Sequence, residues 1–254
     1  MKLTILGSGT SVPHPDRTTP AHWLDTSKGS ILLDCGPDAP HRLAQERLDW
    51  PNLDAIWISH FHLDHLGGLT PFLFGSKWSP QIRNRRKPLQ IFGPSGLRNV
   101  VEAIDNSCNY RLFEQSFAVE IVELKADDEF EILRGLAATT LSTPHTEESL
   151  ALRLKDEDSK LFVYTSDTGF SEDLAPFANS ADLLLMECSY RRNKPVQKHL
   201  ELQDAMRLAR DCAPQKLVLT HLYAEWDQVD LAAEARALWP GETIEARDGL
   251  RLDI

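Results

Sequence analysis

Ala55-Ile56-Trp57-Ile58-Ser59-His60-Phe61-His62-Leu63-Asp64-His65 runs from an apolar stretch straight into three imidazoles and a carboxylate packed within six residues. Neutral imidazole nitrogen and carboxylate oxygen suit a borderline divalent cation such as zinc, and one loop supplying four donors lowers the cost of ordering them. In an extended stretch His60 and His62 project to the same side and can hold one ion. Asp64 and His65 lie further along the turn and can face a second. The stretch therefore predicts a strand that ends in a centre for two metal ions.

Further donors close other strand-like runs. Leu136 to Thr143 ends at Pro144-His145, Lys160 to Ser166 ends at Asp167-Thr168-Gly169, and Lys216 to Thr220 ends at His221. A single His or Asp at a strand end is an ordinary loop residue or cap. Recurrence at equivalent ends of neighbouring strands is different, because such residues converge on one rim where donors distant in sequence meet.

These segments, with Asp34-Cys35-Gly36, match in order the motifs of the metallo-β-lactamase superfamily, which the chain resembles from Leu6 to His221. The glycine-rich run Leu6-Gly7-Ser8-Gly9-Thr10-Ser11-Val12-Pro13-His14-Pro15-Asp16-Arg17 is similar to the amino-terminal signature of its ribonuclease Z and phosphodiesterase branch. The resemblance implies that His60, His62 and His145 bind one metal, that Asp64, His65 and His221 bind the other, and that Asp167 bridges them. It further implies that Asp34 lies behind the ligands and orients an imidazole. In that branch a histidine paired to a glutamate acts as general acid, a role that falls here to His199 with Glu187. The chain departs from the family pattern at Met186, where a histidine is usual, and at Leu200-Glu201, where small residues are usual.

Charge then indicates the chemistry. Two divalent ions about 3.5 to 4 Å apart can share a water and lower its pKa towards about 7, presenting a metal-bound hydroxide at neutral pH. Two dications, two aspartates and a hydroxide leave a net positive site that favours an anionic ester, and a phosphodiester fits. Asp64 is also available to steer the attacking water. Zinc is the first expectation for the two ions, with manganese or iron as alternatives.

Composition bounds the rest. The 254 residues, 42% hydrophobic, can bury a full core, and the expectation is one domain over residues 1–254. β-Rich halves with helical patterns at Ala39 to Leu48, Leu66 to Phe74, Ser95 to Ser107, Glu201 to Cys212 and Val229 to Leu238 predict an α/β, four-layer αββα sandwich, and the resemblance implies that this is the metallo-β-lactamase fold. No apolar run approaches the roughly 20 residues that span a bilayer. Cys35, Cys108, Cys188 and Cys212 form no Cys-x-x-Cys pair, so a cytoplasmic protein with reduced thiols is expected.

The expected partner is a small anionic ester. Members of the resembling branch that process tRNA commonly carry a long arm between the third-motif histidine and the bridging aspartate. Here 22 positions separate His145 from Asp167, and two strands consume them. The net charge of −11 also disfavours a large RNA, whose binding draws on many phosphate contacts. Arg85 and Arg86, or Arg191 and Arg192, are candidates to meet substrate phosphate, and Trp78, Tyr223 and Trp226 are candidates to wall the pocket. The alternatives are a ribonuclease Z-like tRNA 3′ endonuclease, a lactone or thioester hydrolase on the same metals, and a non-hydrolytic mononuclear iron protein or silent binding module. A homodimer is compatible with the sequence, which reveals no interface.

Overall fold

A computed structural model describes all 254 residues, Met1–Ile254. Strands β1 (Lys2–Gly7), β2 (Ala21–Thr26), β3 (Gly29–Leu33), β4 (Ala55–Trp57), β5 (Leu89–Pro94) and β6 (Val119–Leu124) join the carboxy-terminal β14 (Arg251–Asp253) in one sheet of order β14-β1-β2-β3-β4-β5-β6. The second sheet holds β7 (Glu129–Leu133), β8 (Leu136–Ser142), β9 (Leu150–Lys155), β10 (Leu161–Tyr164), β11 (Leu183–Glu187), β12 (Lys216–Thr220) and β13 (Glu242–Glu245), in the order β13-β12-β11-β10-β9-β8-β7. Helices α1 (Ala39–Gln45), α2 (Leu63–Leu66), α3 (Leu69–Trp78) and α4 (Leu97–Cys108) belong to the first half, and α5 (Leu174–Phe177), α6 (Leu202–Cys212) and α7 (Leu231–Leu238) to the second.

Three apolar cores separate the four layers. Between the sheets lie Leu3, Ile5, Leu33, Trp57, Leu152, Leu154, Phe162, Leu185 and Val218. Outside the first sheet, Leu43, Leu69, Leu73, Leu97 and Val101 of the helices meet Leu32, Ile56 and Ile91 of the strands. Outside the second, α6 presents Leu202, Ala205, Met206, Ala209 and Cys212, a stripe at helical spacing, to Leu184, Met186, Leu217 and Leu219. Helix α7 starts where the Asp230 carboxylate accepts from the backbone N–H of Ala233 at 2.9 Å. Central strands are apolar on both faces because both are covered. The sandwich expected from the sequence is therefore the fold observed.

One strand goes beyond the sequence reading, and one reading of an element is corrected. Strand β2 is central, paired to β1 and β3, yet its sequence Ala-His-Trp-Leu-Asp-Thr carries a buried His22 that breaks the apolar pattern. The helix expected over Leu66 to Phe74 is two, α2 and α3, broken at Gly67-Gly68. A Cβ on Gly68 would sit 2.1 Å from the Gly36 carbonyl oxygen, so only glycine lets this turn approach the Asp34-Cys35-Gly36 segment.

That approach matters because the pairs β3–β4 and β10–β11–β12 run parallel, and their carboxy-terminal ends share one edge. At that edge the chain turns sharply through residues in the left-handed region: Asp34 (φ 56°), Ser166 (φ 55°) and His221 (φ 60°). Each such non-glycine residue costs of order 1–3 kcal/mol, a strain that surrounding packing must hold and that recurs where function fixes geometry.

Candidate metal centre

Every donor expected from the sequence lies at this edge. His60, His62, His145 and Asp167 form one group, and Asp64, His65 and His221 another; within each, one nitrogen or oxygen per residue lies within 4.8 Å of the others. Asp167 stands between the groups, with Oδ1 3.3 Å from His65 Nε2 and Oδ2 3.3 Å from His221 Nε2 and 3.6 Å from His145 Nε2. His60, His65, Asp64, Asp167, His145 and His221 are buried, while His62 is exposed at the mouth.

The imidazoles are aimed from behind. The Nδ1 of His65 meets Asp34 Oδ2 at 2.7 Å, His145 Nδ1 meets the Lys198 carbonyl at 2.9 Å, His60 Nδ1 meets Ser59 Oγ at 3.0 Å, and His221 Nδ1 meets Ser189 Oγ at 2.9 Å. The inward Nε2 atoms of His60, His65 and His221 have no hydrogen-bond partner although they are buried. Orphaned buried nitrogens surrounding carboxylates are the signature of a cation site, since leaving them unpaired would otherwise be costly. The residues fit two divalent cations.

The buried groups divide their charge unequally. Burial opposes the charge on Asp167, but the surrounding imidazoles, His221 and His65 foremost, outweigh it and hold the carboxyl well below the usual range. Burial likewise opposes charge on His65, yet Asp167 and Asp34 raise its pKa well above the ordinary value. Burial, followed by the nearness of His65, drives His60 well below it. The metal-free cluster thus keeps a proton on His65 that a cation would have to displace.

Glu187 ends β11 at the same edge. Its Oε1 accepts from Thr168 N–H at 2.6 Å and lies 3.0 Å from His199 Nδ1, and its Oε2 accepts from Leu200 N–H at 3.1 Å and Ser189 Oγ at 2.6 Å. The expected pairing of Glu187 with His199 is thus present in the structure. The His199 ring stacks on His221 at 5.4 Å and crosses His145 at 4.7 Å. Burial pushes its pKa down, but the Glu187 hydrogen bond and charge, with Asp167, more than compensate and raise it.

The sequence reading missed Ser59, Ser189, Tyr164 and the Lys198 carbonyl. The Tyr164 hydroxyl donates to Asp34 Oδ2 at 2.7 Å, but its position in an apolar strand gave no signal. Of the four arginines considered for phosphate contact, Arg85 and Arg86 lie away from the site. Arg85 donates to the carbonyls of Pro51, Leu53, Lys87 and Pro88, and Arg86 to those of Arg83 and Arg85, before the amino-terminal end of β5 and so at the opposite edge of the sheet. The Arg191 guanidinium donates to Glu234 while its backbone N–H donates to Glu225, and the exposed Arg192 lies 3.9 Å from Glu234. Trp226 is buried and donates to the Cys188 carbonyl, and Trp78 is exposed against Phe74 at the end of α3, so neither walls the site. Tyr223 does lie at the rim, stacked on Tyr190 at 5.0 Å.

Comparison with known proteins points to the same class of protein. The chain is 26% identical over 251 residues to Probable metallo-hydrolase YhfI of Bacillus subtilis, with 98% of each chain covered, and the crystal structure of that protein superposes with a TM-score of 0.84 at 24% identity, covering 99% of each. It is 26% identical over 288 residues to ribonuclease Z of Thermoplasma volcanium, covering 93% of this chain and 92% of the relative. Human tRNase Z, short form, superposes with a TM-score of 0.80 at 22% identity, covering 100% of this chain and 99% of the other. The fold and the donor cluster define a metal-dependent hydrolase of the metallo-β-lactamase superfamily, in its ribonuclease Z and phosphodiesterase branch. Within it, the chain belongs to the family of the anti-Pycsar protein Apyc1, whose family model matches residues 1–239.

Proposed function

We propose that this protein hydrolyses a small phosphodiester, cyclic ones included, with two divalent cations, zinc by preference. His60, His62 and His145 would hold one, Asp64, His65 and His221 the other, with Asp167 shared. The observation that carries the reading is the position of Asp167, within 3.6 Å of inward nitrogens from both groups. When bound, such a pair of cations supplies an activated water and neutralises the charge of the diester.

The chain's own residues would do the rest. Asp64, whose Oδ2 lies 3.5 Å from His221 Nε2, would orient the water that attacks phosphorus. His199 has Nδ1 committed to Glu187, so Nε2 gives its proton to the leaving oxygen as the P–O bond breaks. The products are a phosphomonoester and an alcohol, one molecule if the diester is cyclic.

A small substrate is supported by what surrounds the site. The chain between His145 and Asp167 is spent on β9, β10 and a tight turn, and the Arg191 and Lys194 side chains are engaged by Glu234 and Asp204. The four cysteines are free, which suits a reducing cytoplasmic compartment. No helix is long and apolar enough to cross a membrane.

The test is a panel of bis-aryl phosphates, cyclic nucleotides, lactones, thioesters and tRNA with a 3′ trailer, assayed on metal-quantified protein. Turnover of diesters with intact trailer RNA is the expected result. A lactone or thioester consumed while every diester is inert overturns the proposal.

A further inference from the structure

Two buried serines occupy equivalent places on opposite sides of the centre. Ser59 Oγ lies 2.9 Å from Asp34 Oδ2 and 3.0 Å from His60 Nδ1; Ser189 Oγ lies 2.6 Å from Glu187 Oε2 and 2.9 Å from His221 Nδ1. Both serines have no exposed surface. Each sits in a chain of carboxylate, hydroxyl and imidazole, and each imidazole belongs to a different donor group.

The direction of these hydrogen bonds follows from counting protons. Asp34 accepts from Ser59 N–H at 2.8 Å and from the Tyr164 hydroxyl at 2.7 Å, and Glu187 accepts from the backbone N–H groups of Thr168 and Leu200 at 2.6 and 3.1 Å. Both carboxylates therefore act as acceptors, and a hydroxyl beside one must donate its single proton to it. Its lone pairs then face the imidazole, which can only donate to them. Nδ1 carries the hydrogen, and Nε2, the orphaned inward atom of both His60 and His221, keeps its lone pair.

We propose that Ser59 and Ser189 are positioning residues that lock His60 and His221 in the Nδ1–H tautomer, one serine serving each cation. The inference rests on the two-cation reading above, and it goes beyond it by assigning to each hydroxyl control over one ion. Ser189 additionally ties His221 to the carboxylate that holds His199, so metal and proton donor are braced by one group.

The experiment uses Ser59→Ala, Ser189→Ala and Ser189→Thr in the full chain, with zinc affinities from chelator competition and histidine ¹⁵N shifts in the metal-free protein. In each alanine variant one of the two dissociation constants is expected to weaken by about 10–100-fold, the usual effect of removing a partner behind a metal-binding histidine. The ¹⁵N shifts are expected to report loss of the Nδ1–H form at His60 alone in Ser59→Ala and at His221 alone in Ser189→Ala, with Thr retaining it. Unchanged tautomers and affinities in both alanine variants overturn the assignment. A wild-type protein that takes up only one ion overturns the two-cation reading instead, and the tautomer shifts still decide the role of each serine.

Discussion

Oδ2 of Asp34 lies 2.7 Å from His65 Nδ1, and the same carboxylate, through Ser59, stands behind His60. One buried carboxylate thus braces a histidine of each donor group. Asp34→Asn is expected to weaken zinc binding about 10–100-fold, because the amide cannot accept from all four donors at once. Chelator competition measures this, and an unchanged affinity would show that the carboxylate is only a turn residue.

His199 and Glu187 predict a dependence on the leaving group. With an alkyl leaving group, His199→Ala should lose about 10²–10⁴-fold in kcat, the usual contribution of a positioned general acid. A nitrophenolate needs no proton, so the same variant should be little affected with bis(p-nitrophenyl) phosphate. Glu187→Gln should show the same contrast more weakly. Equal losses on both substrates would remove His199 from proton transfer.

Metal uptake should depend on pH. In the metal-free protein Asp167 and Asp34 overcome burial to raise the pKa of His65, so a cation must displace a proton. Affinity should therefore rise with pH, by about tenfold per unit for one proton released, while the pH stays below that raised pKa. Calorimetry in buffers of different ionisation enthalpy counts the protons, and a pH-independent affinity would contradict the expectation.

His22 predicts a stability effect away from catalysis. It is fully buried with both ring nitrogens unpaired, edge-on to Tyr164 at 5.3 Å. Burial, then the nearness of His65 and His221, pushes its pKa from 6.5 down to about 3. The unfolded chain takes a proton that the folded one refuses, so stability is lost as pH falls below 6.5. In metal-free protein, His22→Leu should reduce the fall in unfolding free energy between pH 7 and pH 5 by about 2 kcal/mol. Denaturant unfolding at the two pH values tests this; identical falls in both proteins would mean His22 finds a partner.

Much of the site was legible because metal chemistry restricts residue types. His60, His62, Asp64 and His65 lie within six residues, and His145, Asp167 and His221 each follow a strand whose apolar run is plain. The edge strands β13 and β14 were not legible, since Glu242–Glu245 and Arg251–Asp253 are half exposed and charged. Arg85 and Arg86 misled for a related reason. A basic run looks alike in sequence whether it faces solvent or, like Arg85, is spent on backbone carbonyls.

The sequence by itself determined the candidate donors, through their residue types and the motifs they share with the superfamily, and the four-layer architecture, because strand periodicity and ligand type are local properties. Only the tertiary structure decided which atom of each imidazole faces inward and that Ser59, Ser189 and Tyr164 take part. Those assignments depend on hydrogen bonds between residues up to 130 positions apart, such as Tyr164 to Asp34, and a hydroxyl acquires its direction only when a buried carboxylate is brought beside it.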